Sequence, residues 1–399
     1  MNPVAPQLHI CIATDQNAAN LIPAIQCKAE EVWVLETPTM ALRKNGRNLK
    51  DALRKRGVKV DVRALPENPA LMQAFMVDLA DELDKAGREV TVNMTGGTKP
   101  MVLALVEAAR MLGTAGDARP AHVVYTNTGK QRLEWTHPHQ HHQDMEPVLE
   151  INDILRVYGY EHDSSKSTLL EHDKWLGLAN DRKRLTYDLA ANASKYQHGI
   201  SWLAKLAGKA LAGNPFHARQ ELDSYPSGAA REYLDMLEDN QLLENEHGKS
   251  VWFISAESAR YCAGGWVEEF VALKTEEAAK SADPILGSWR ANVHARSVDS
   301  GTLNEIDLMV VHNNRTLVVE CKAARLYDDN INDWLSKLQE LAQRVAGSHV
   351  ACLLVSAHPL SDVQRDRANL MRIGVCDGDE LQHFGRYLHN WMKTGRFAG

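Results

Sequence analysis

The chain has 399 residues, enough for two or three domains, and 44% of them are hydrophobic, as is ordinary for folded proteins. The formal net charge of −7 argues against a broadly basic nucleic-acid binder but leaves room for a local cationic patch. No signal peptide or apolar run of membrane-spanning length is visible and the six cysteines are dispersed, so we expect a cytoplasmic protein with reduced core cysteines and no membrane partner.

Apolar, β-branched runs alternate with helical patterns in the first third of the chain. The predicted strands are Leu8 to Thr14, Glu31 to Thr37, Lys59 to Leu65, Glu89 to Met94 and Ala121 to Thr126. The predicted helices between them are 20–28, 40–55, 69–86 and 100–112. This alternation is typical of an α/β unit with a mostly parallel sheet, whose ligands bind beyond the carboxyl ends of the strands.

Two polar segments follow predicted strands at that edge. The first is Thr14, Asp15, Gln16 and Asn17, and the second is Thr95, Gly96, Gly97, Thr98 and Lys99, which leads into a helix. Glycines allow close approach of the backbone, and a helix N-terminus beside a lysine favours an anion. The spacing is neither that of a Walker A loop nor G-x-G-x-x-G, so it does not support an NTPase or a dehydrogenase. A tight turn that binds nothing is the alternative.

The segment 95–101 (Thr-Gly-Gly-Thr-Lys-Pro-Met) after a hydrophobic strand resembles the signature of CARF domains, the CRISPR-associated Rossmann-fold sensors. The resemblance implies a homodimer that binds a cyclic oligoadenylate across its two-fold axis through the two polar segments. A two-fold axis requires an even number of nucleotides. We expect one cyclic tetraadenylate per dimer, and the choice of four over six depends on the resemblance.

The middle of the chain combines helical patterns over 176–211 and 227–243 with a hairpin over 242–253 that turns at His247 and Gly248. A helix followed by a hairpin is similar to a winged helix. A DNA-reading helix normally exposes basic residues, whereas this one carries Glu232 and Asp235. We therefore interpret this region as a spacer or dimer contact. The histidines of 137–142 are interpreted as a solvated loop in preference to a metal site.

A predicted β-hairpin in the last third carries the strongest chemical signal. Two apolar runs, 304–311 and 316–322, flank the Asn313-Asn314 pair, which tolerates positive φ. Side chains alternate along a strand, so Glu320 and Lys322 share a face, with Asp307 on the partner strand. Carboxylates suit Mn²⁺ or Mg²⁺, and a lysine beside them can orient a water or neutralise a phosphate. The pattern predicts phosphodiester cleavage, against the alternative of a solvated surface strand.

Asp307, the Glu320-Cys321-Lys322 run and the hairpin between them resemble the PD-(D/E)xK nuclease core. The resemblance implies catalytic roles for Asp307, Glu320 and Lys322, and a preceding helix that supplies Glu268. It implies a metal site formed by Glu268, Asp307, Glu320 and Cys321. The family also expects a helix, a strand and a second helix next, here 333–345, 349–356 and 361–373. In the motif that gives the family its name, proline precedes the first acid, whereas in this chain Ile306 precedes Asp307.

Together these patterns predict an α/β protein of three parts. Residues 1–150 form a Rossmann-like CARF domain, 151–260 a small helical, winged-helix-like linker, and 261–399 a restriction endonuclease-like α/β domain. The two resemblances imply a cyclic-oligoadenylate-activated, metal-dependent endonuclease of type III CRISPR antiviral defence. Its substrate is DNA or RNA, with single strands favoured. Two alternatives stay open, namely a ligand-sensing winged-helix transcriptional regulator and a ring nuclease that degrades its own cyclic oligoadenylate.

Overall fold

The structure is a computed structural model that describes residues 7–112, 121–163, 169–246, 248–281, 288–327 and 330–397. Within these ranges no helix is long and apolar enough to cross a membrane. All six cysteines are buried and free, as the sequence predicted.

The N-terminal part is a seven-stranded sheet flanked by helices. Its strands are β1 (Leu8–Ile12), β2 (Glu31–Glu36), β3 (Lys59–Ala64), β4 (Val90–Asn93), β5 (His122–Asn127), β6 (Arg132–His137) and β7 (His141–Asp144). Its helices are α1 (Ala18–Gln26), α2 (Pro38–Leu42), α3 (Asn45–Lys55), α4 (Pro69–Ala86) and α5 (Lys99–Met111). The strand order is β3-β2-β1-β4-β5-β6-β7, and β1 to β5 are parallel. The five predicted parallel strands are therefore confirmed.

Two local predictions in this part were wrong. The helix predicted over 40–55 is divided into α2 and α3, because Lys44 adopts a left-handed conformation with φ 61° that no continuous helix accommodates. The solvated loop predicted over 137–142 is right only for 138–140, which form the largely exposed turn of a hairpin, and wrong at both ends. His141 begins β7, pairs with Trp135 of β6 and stacks on its ring with centroids 5.7 Å apart. A short, histidine-rich edge strand lacks the apolar alternation from which strands are predicted.

The middle of the chain is mainly helical and ends in a small wing. The helices are α6 (Ile151–Val157), α7 (Leu169–Asp181), α8 (Lys183–Ala191), α9 (Ala193–Ala212), α10 (Ala229–Asp239) and α11 (Ala256–Arg260). The strands are β8 (Tyr160–His162), β9 (Arg219–Glu221), β10 (Leu243–Glu246) and β11 (Ser250–Phe253). Strands β10, β11 and β9 form an antiparallel sheet beside α10, which confirms the predicted helix and hairpin. Position 247, where the turn was predicted, lies outside the described residues.

The C-terminal part is built on a six-stranded sheet of order β16-β15-β14-β13-β12-β8. Its own strands are β12 (Ser288–Ser297), β13 (Leu303–His312), β14 (Arg315–Lys322), β15 (Ala351–Ser356) and β16 (Ile373–Asp377). The helices are α12 (Trp266–Ser281), α13 (Ile331–Ala346), α14 (Asp362–Leu370) and α15 (Phe384–Thr394), with a π-helical turn at Tyr261–Gly265 and a 3₁₀ helix at Gly378–His383. The last predicted helix is three residues too long, because Ile373 begins β16 and not the end of α14.

Two hydrophobic clusters cover the faces of this sheet. Helices α8, α9, α10, α12 and α15 pack on one face, against Leu308, Val310 and Val319. Helices α6 and α13 pack on the other, against Met309 and Val318, in a cluster that continues into the N-terminal sheet. Strand β8, which precedes the helical region, pairs with β12. The middle region thus shares both its core and a strand with the C-terminal sheet.

Candidate functional site

The β13–β14 hairpin brings the two predicted acids of the C-terminal sheet together. Asn313 and Asn314 have φ of 48° and 59° and form the predicted tight turn. The antiparallel register runs to Leu308 opposite Val319, so Asp307 and Glu320 are the next positions on the two strands. Beyond this pair the Asp307 side chain, and not the main chain of β13, contacts β14: Asp307 Oδ2 accepts a hydrogen bond from the Cys321 N–H at 2.6 Å. That bond holds the Asp307 carboxylate beside the end of β14.

Lys322 lies between Glu320 and an aromatic ring. Its Nζ donates to Glu320 Oε1 at 2.5 Å and lies 4.5 Å from the ring centroid of Trp334 on α13. Burial alone would lower the pKa of Lys322, but the charge and hydrogen bond of Glu320, together with the nearby Asp307 and Cys321, outweigh burial and raise the pKa. The ammonium is therefore fixed in its charged form at a defined place. The role of Trp334 in positioning Lys322 depends on a contact between a helix and a strand that no local sequence pattern contains.

Helix α12 offers two neighbouring acids, and the structure separates their environments. Burial and the nearby Asp307 and Glu305 carboxylates raise the pKa of Glu268 to about 8. Burial and Glu320 raise the pKa of Asp307 to about 7. Glu269 is 2% exposed and forms an ion pair with Arg182 of the middle region, which also contacts Glu257. Glu268 is thus the acid beside Asp307, while Glu269 joins two parts of the fold. The catalytic and metal-binding roles of Glu268 stay predictions.

Because Glu268 and Glu269 have different surroundings, we expect Glu→Gln substitutions at the two positions to affect the stability of the protein differently. Glu269→Gln should destabilise the protein by about 2 kcal/mol, because it leaves Arg182 with only Glu257 as a charged partner. Glu268→Gln should leave stability unchanged or raise it, because it removes a repulsive carboxylate from beside Asp307. Urea unfolding of both variants measures the difference. Equal stabilities would contradict the assignment of Glu269 to structure.

Whether the cluster fits a divalent cation depends on its donor set. In the described parts of the chain, no group of three or more His, Cys, Asp or Glu side chains is already arranged around an ion position. Asp307 is held by the Cys321 N–H and Glu320 by Lys322. Burial and nearby carboxylates raise the pKa of Asp307 and of Glu268, so a cation beside these two acids is favoured. Oxygen donors suit Mn²⁺ or Mg²⁺. The residues present therefore fit such an ion.

Cys321 contributes differently from the acids. Burial and the surrounding carboxylates raise the pKa of its thiol well above the usual value, so the thiol is neutral. A neutral thiol is a poor ligand for a hard cation. If Cys321 takes part, as predicted, its main-chain carbonyl oxygen is the available donor.

Sequence reasoning missed Glu305. It lies two residues before Asp307 on β13, and its charge raises the pKa of both Glu268 and Asp307. It also lines a cavity of about 310 Å³ together with Glu268 and His294. The two-residue spacing that linked Glu320 to Lys322 also links Glu305 to Asp307 and was an available signal.

The two polar loops of the N-terminal sheet meet at the carboxyl ends of β1 and β4. A Cβ on Gly96 would lie 2.7 Å from the Ile12 carbonyl oxygen and 2.8 Å from Thr14 Cγ2, so only glycine allows the loops to touch. Asn93 Nδ2 donates to Asn20 Oδ1 at 3.0 Å, which links the end of β4 to α1. Gly97 has φ 103°, a conformation that only glycine adopts readily. The predicted convergence of the loops is therefore present.

The predicted ligand residues of these loops differ in what they contact. Thr98 caps α5 without a side-chain hydrogen bond, and Gly97, Thr98 and Lys99 are exposed beside the helix N-terminus. Asp15 forms an ion pair with Arg43 at 2.6 Å. Asn17 is 1% exposed and its side chain supports the loop, accepting from the Thr14 N–H and donating to the Asn45 carbonyl oxygen. The ligand-binding roles of all nine loop residues stay predictions.

Gln16 connects the first loop to the C-terminal part. Its Nε2 donates to Ser348 Oγ at 2.6 Å, and its Oε1 lies 3.0 Å from His349 Nδ1. Both partners belong to the turn between α13 and β15. The same helix α13 carries Trp334, so it lies between the loop and Lys322. No sequence pattern reveals a contact across more than three hundred residues.

Family models match both ends of the chain. The Card1 CARF domain matches residues 8–154, and the Card1-like endonuclease domain matches residues 255–395. No curated protein matches the chain in sequence.

Solved structures share its fold over almost the whole length. Protein VC1899 from Vibrio cholerae is 22% identical with a TM-score of 0.82, over 98% of this chain and 99% of that one. Can2 from Sulfobacillus thermosulfidooxidans, solved in complex with cyclic tetra-adenylate, is 21% identical with a TM-score of 0.76, over 96% and 99%. A type III CRISPR defence DNA nuclease activated by cyclic oligoadenylate is 19% identical with a TM-score of 0.50, over 88% of this chain and 45% of that one.

Proposed function

Because this chain joins a Card1 CARF domain to a Card1-like endonuclease domain, we propose that it is a divalent-cation-dependent endonuclease switched on by a cyclic oligoadenylate. The setting is type III CRISPR defence, and Mn²⁺ or Mg²⁺ is the cofactor. The substrate is DNA or RNA, with single strands favoured. The observation that carries the proposal is the convergence of Glu268, Asp307 and Glu320 with Lys322 in the endonuclease domain.

The proposed chemistry is hydrolysis of a phosphodiester bond. A bound Mn²⁺ or Mg²⁺ supplies a Lewis acid for the phosphate oxygens and makes a water more acidic. Asp307, Glu320 and Glu268 would hold this ion through carboxylate oxygens, with the Cys321 carbonyl as a further donor. Lys322, held by Glu320 and Trp334, orients the attacking water and neutralises charge that builds up on the phosphate. The water loses a proton to solvent as it forms a bond to phosphorus, the P–O ester bond breaks, and the leaving oxygen takes a proton from solvent.

The proposed activator site is the edge where the two CARF loops meet. The N-terminus of α5 and Lys99 supply positive potential for a phosphate, while Thr95 and Thr98 supply hydroxyls. The Thr95 hydroxyl already makes two hydrogen bonds within the protein: Oγ1 donates to Asn93 Oδ1 at 2.5 Å and accepts from the Thr126 N–H at 2.7 Å. The solved complex of Can2 with cyclic tetra-adenylate supports the same ligand for this chain.

One activator per homodimer is the expected stoichiometry. A single edge holds only part of a ring, and a two-fold axis lets two equal edges hold the whole. Exposed leucines on the adjacent helices α4 and α5, Leu71 at 62% and Leu103 at 65%, offer an apolar surface for a second chain. Light scattering should give a dimer, and titration calorimetry should give one cyclic tetraadenylate per two chains. One ring per chain, or full activity of a monomer, would exclude this arrangement.

The function as a whole is tested with purified protein, labelled DNA and RNA, each metal, and cyclic oligoadenylates of three to six nucleotides. We expect cleavage only when an even-membered ring and Mn²⁺ or Mg²⁺ are both present. Cleavage that needs no ring would contradict the activation. Cleavage that persists in a chelator would contradict the role of the cation. Sequence-specific DNA binding without cleavage would favour the transcriptional regulator.

A further inference from the structure

A cleft of about 530 Å³ separates the CARF loops from the endonuclease domain. One wall is formed by the carboxyl edge of the N-terminal sheet, with Gln16, Thr95 and Tyr125. The other is formed by the start of β14 and the segment after α15, with Arg315 and Arg396. The cleft is thus continuous with the proposed activator site and extends from it to the endonuclease domain.

The composition of the cleft is unusual for this protein. The chain has 52 acidic and 45 basic residues, yet none of the described residues that line the cleft is Asp or Glu. The lining contains two arginines, one histidine and several threonines. A concave surface with cations, hydroxyls and no carboxylate is suited to a phosphate group. Tyr125, which is 37% exposed, adds a ring face on which a base can stack.

Arg315 is the cation best placed for such a contact. It is partly buried, and burial is the one cause that lowers its pKa, with no carboxylate counteracting it in the described part of the chain. A partly desolvated guanidinium with no carboxylate beside it favours an anionic ligand. Across the cleft, Thr95 and Gln16 belong to the two loops to which the activator is assigned.

We propose that the endonuclease domain binds the activator directly, and that Arg315, with Arg396 beside it, contacts a phosphate of the cyclic oligoadenylate that lies on Thr95 and Gln16. This inference rests on the proposed function, since it names further residues of the same activator site. It also gives the ring a means of control. A ligand that contacts both domains favours the domain arrangement in which both sets of contacts form.

The test is titration calorimetry of the full-length protein with cyclic tetraadenylate. Arg315→Ala is expected to raise the Kd about tenfold, since a charge-assisted phosphate contact is lost, while Arg315→Lys keeps most of the affinity. Arg396→Ala, at an exposed position, is expected to raise the Kd about threefold. Arg386→Ala on the exposed side of α15 is the matched control and should bind like wild type. Melting temperatures show whether each variant is folded.

The outcomes separate this inference from the function on which it rests. If wild type binds no cyclic oligoadenylate, both fail. If wild type binds the ring and folded Arg315→Ala and Arg396→Ala bind it equally well, only the cleft contact is wrong. If Arg315→Ala weakens binding of single-stranded DNA but not of the ring, the cleft serves the substrate and the proposal is likewise overturned.

Discussion

Glu320→Gln and Lys322→Ala are each expected to reduce activator-dependent cleavage by at least about a hundredfold. The first removes a carboxylate that would hold the cation, and the second removes the ammonium that neutralises charge on the reacting phosphate. The two side chains form one ion pair, so the loss of either also changes the other. The effects should therefore be far from additive, and the double variant should be little worse than either single variant. Single-turnover cleavage of labelled nucleic acid at saturating activator measures all three.

The matched control is Lys337→Ala. Lys337 is also a lysine over the Trp334 ring, with Nζ 5.5 Å from its centroid, but it is exposed on α13. The Lys337→Ala variant should cleave at the wild-type rate. That result would show that cleavage depends on the position of Lys322 beside Glu320 and not merely on a lysine over the Trp334 ring. Binding of cyclic tetraadenylate should be unchanged in every variant. Wild-type cleavage by Glu320→Gln or Lys322→Ala would remove the site from this hairpin.

The β13–β14 hairpin was predictable because the residues that specify it are close to one another in the sequence. Asn313 and Asn314 specify the turn, the apolar runs specify the strands, and two-residue alternation places Glu320 and Lys322 together. What surrounds the hairpin was not predictable. Trp334 and Arg182 reach their partners through helices whose packing depends on the whole fold. A periodic pattern identifies the buried face of a helix but not the strand or residue that it meets.

The choice between Glu268 and Glu269 illustrates the same limit. Both occupy the first turn of α12, and the family resemblance favoured Glu268. The physical reason lies in Arg182, 87 residues earlier, which takes Glu269 as its buried partner and leaves Glu268 facing Asp307. Sequence alone offers no means of knowing that Arg182 lies there.

In the N-terminal domain, the loops were predictable but their connection to the endonuclease was not. The Gly96-Gly97 pair and the helix that follows indicate an anion site from the sequence. The bonds from Gln16 to Ser348 and His349 join positions at opposite ends of the chain. Through them the first CARF loop contacts the turn at the end of α13, and α13 carries the ring over Lys322. A ligand that moves this loop therefore acts on an element that contacts both sites.

Lys99→Ala is expected to raise the Kd for cyclic tetraadenylate by roughly ten- to a hundredfold, because a charge-assisted phosphate contact contributes about 1.5–3 kcal/mol. Lys99 is exposed at the first position of α5, where its charge adds to the potential of the helix N-terminus. The activator concentration for half-maximal cleavage should rise by a similar factor, and the rate at saturation should stay close to wild type.

The control for this variant is Lys85→Ala, which removes an exposed lysine from the last turn of α4 in the same domain. It changes the net charge equally and should not alter the Kd. Because long-range attraction between exposed charges is screened by salt, the ratio of the two Kd values should be measured at physiological ionic strength. A Kd for Lys99→Ala equal to that of the control would show that α5 does not hold the phosphate. A raised Kd with a normal saturated rate would separate activator binding from catalysis, as the placement of Lys99 in one domain and Lys322 in the other requires.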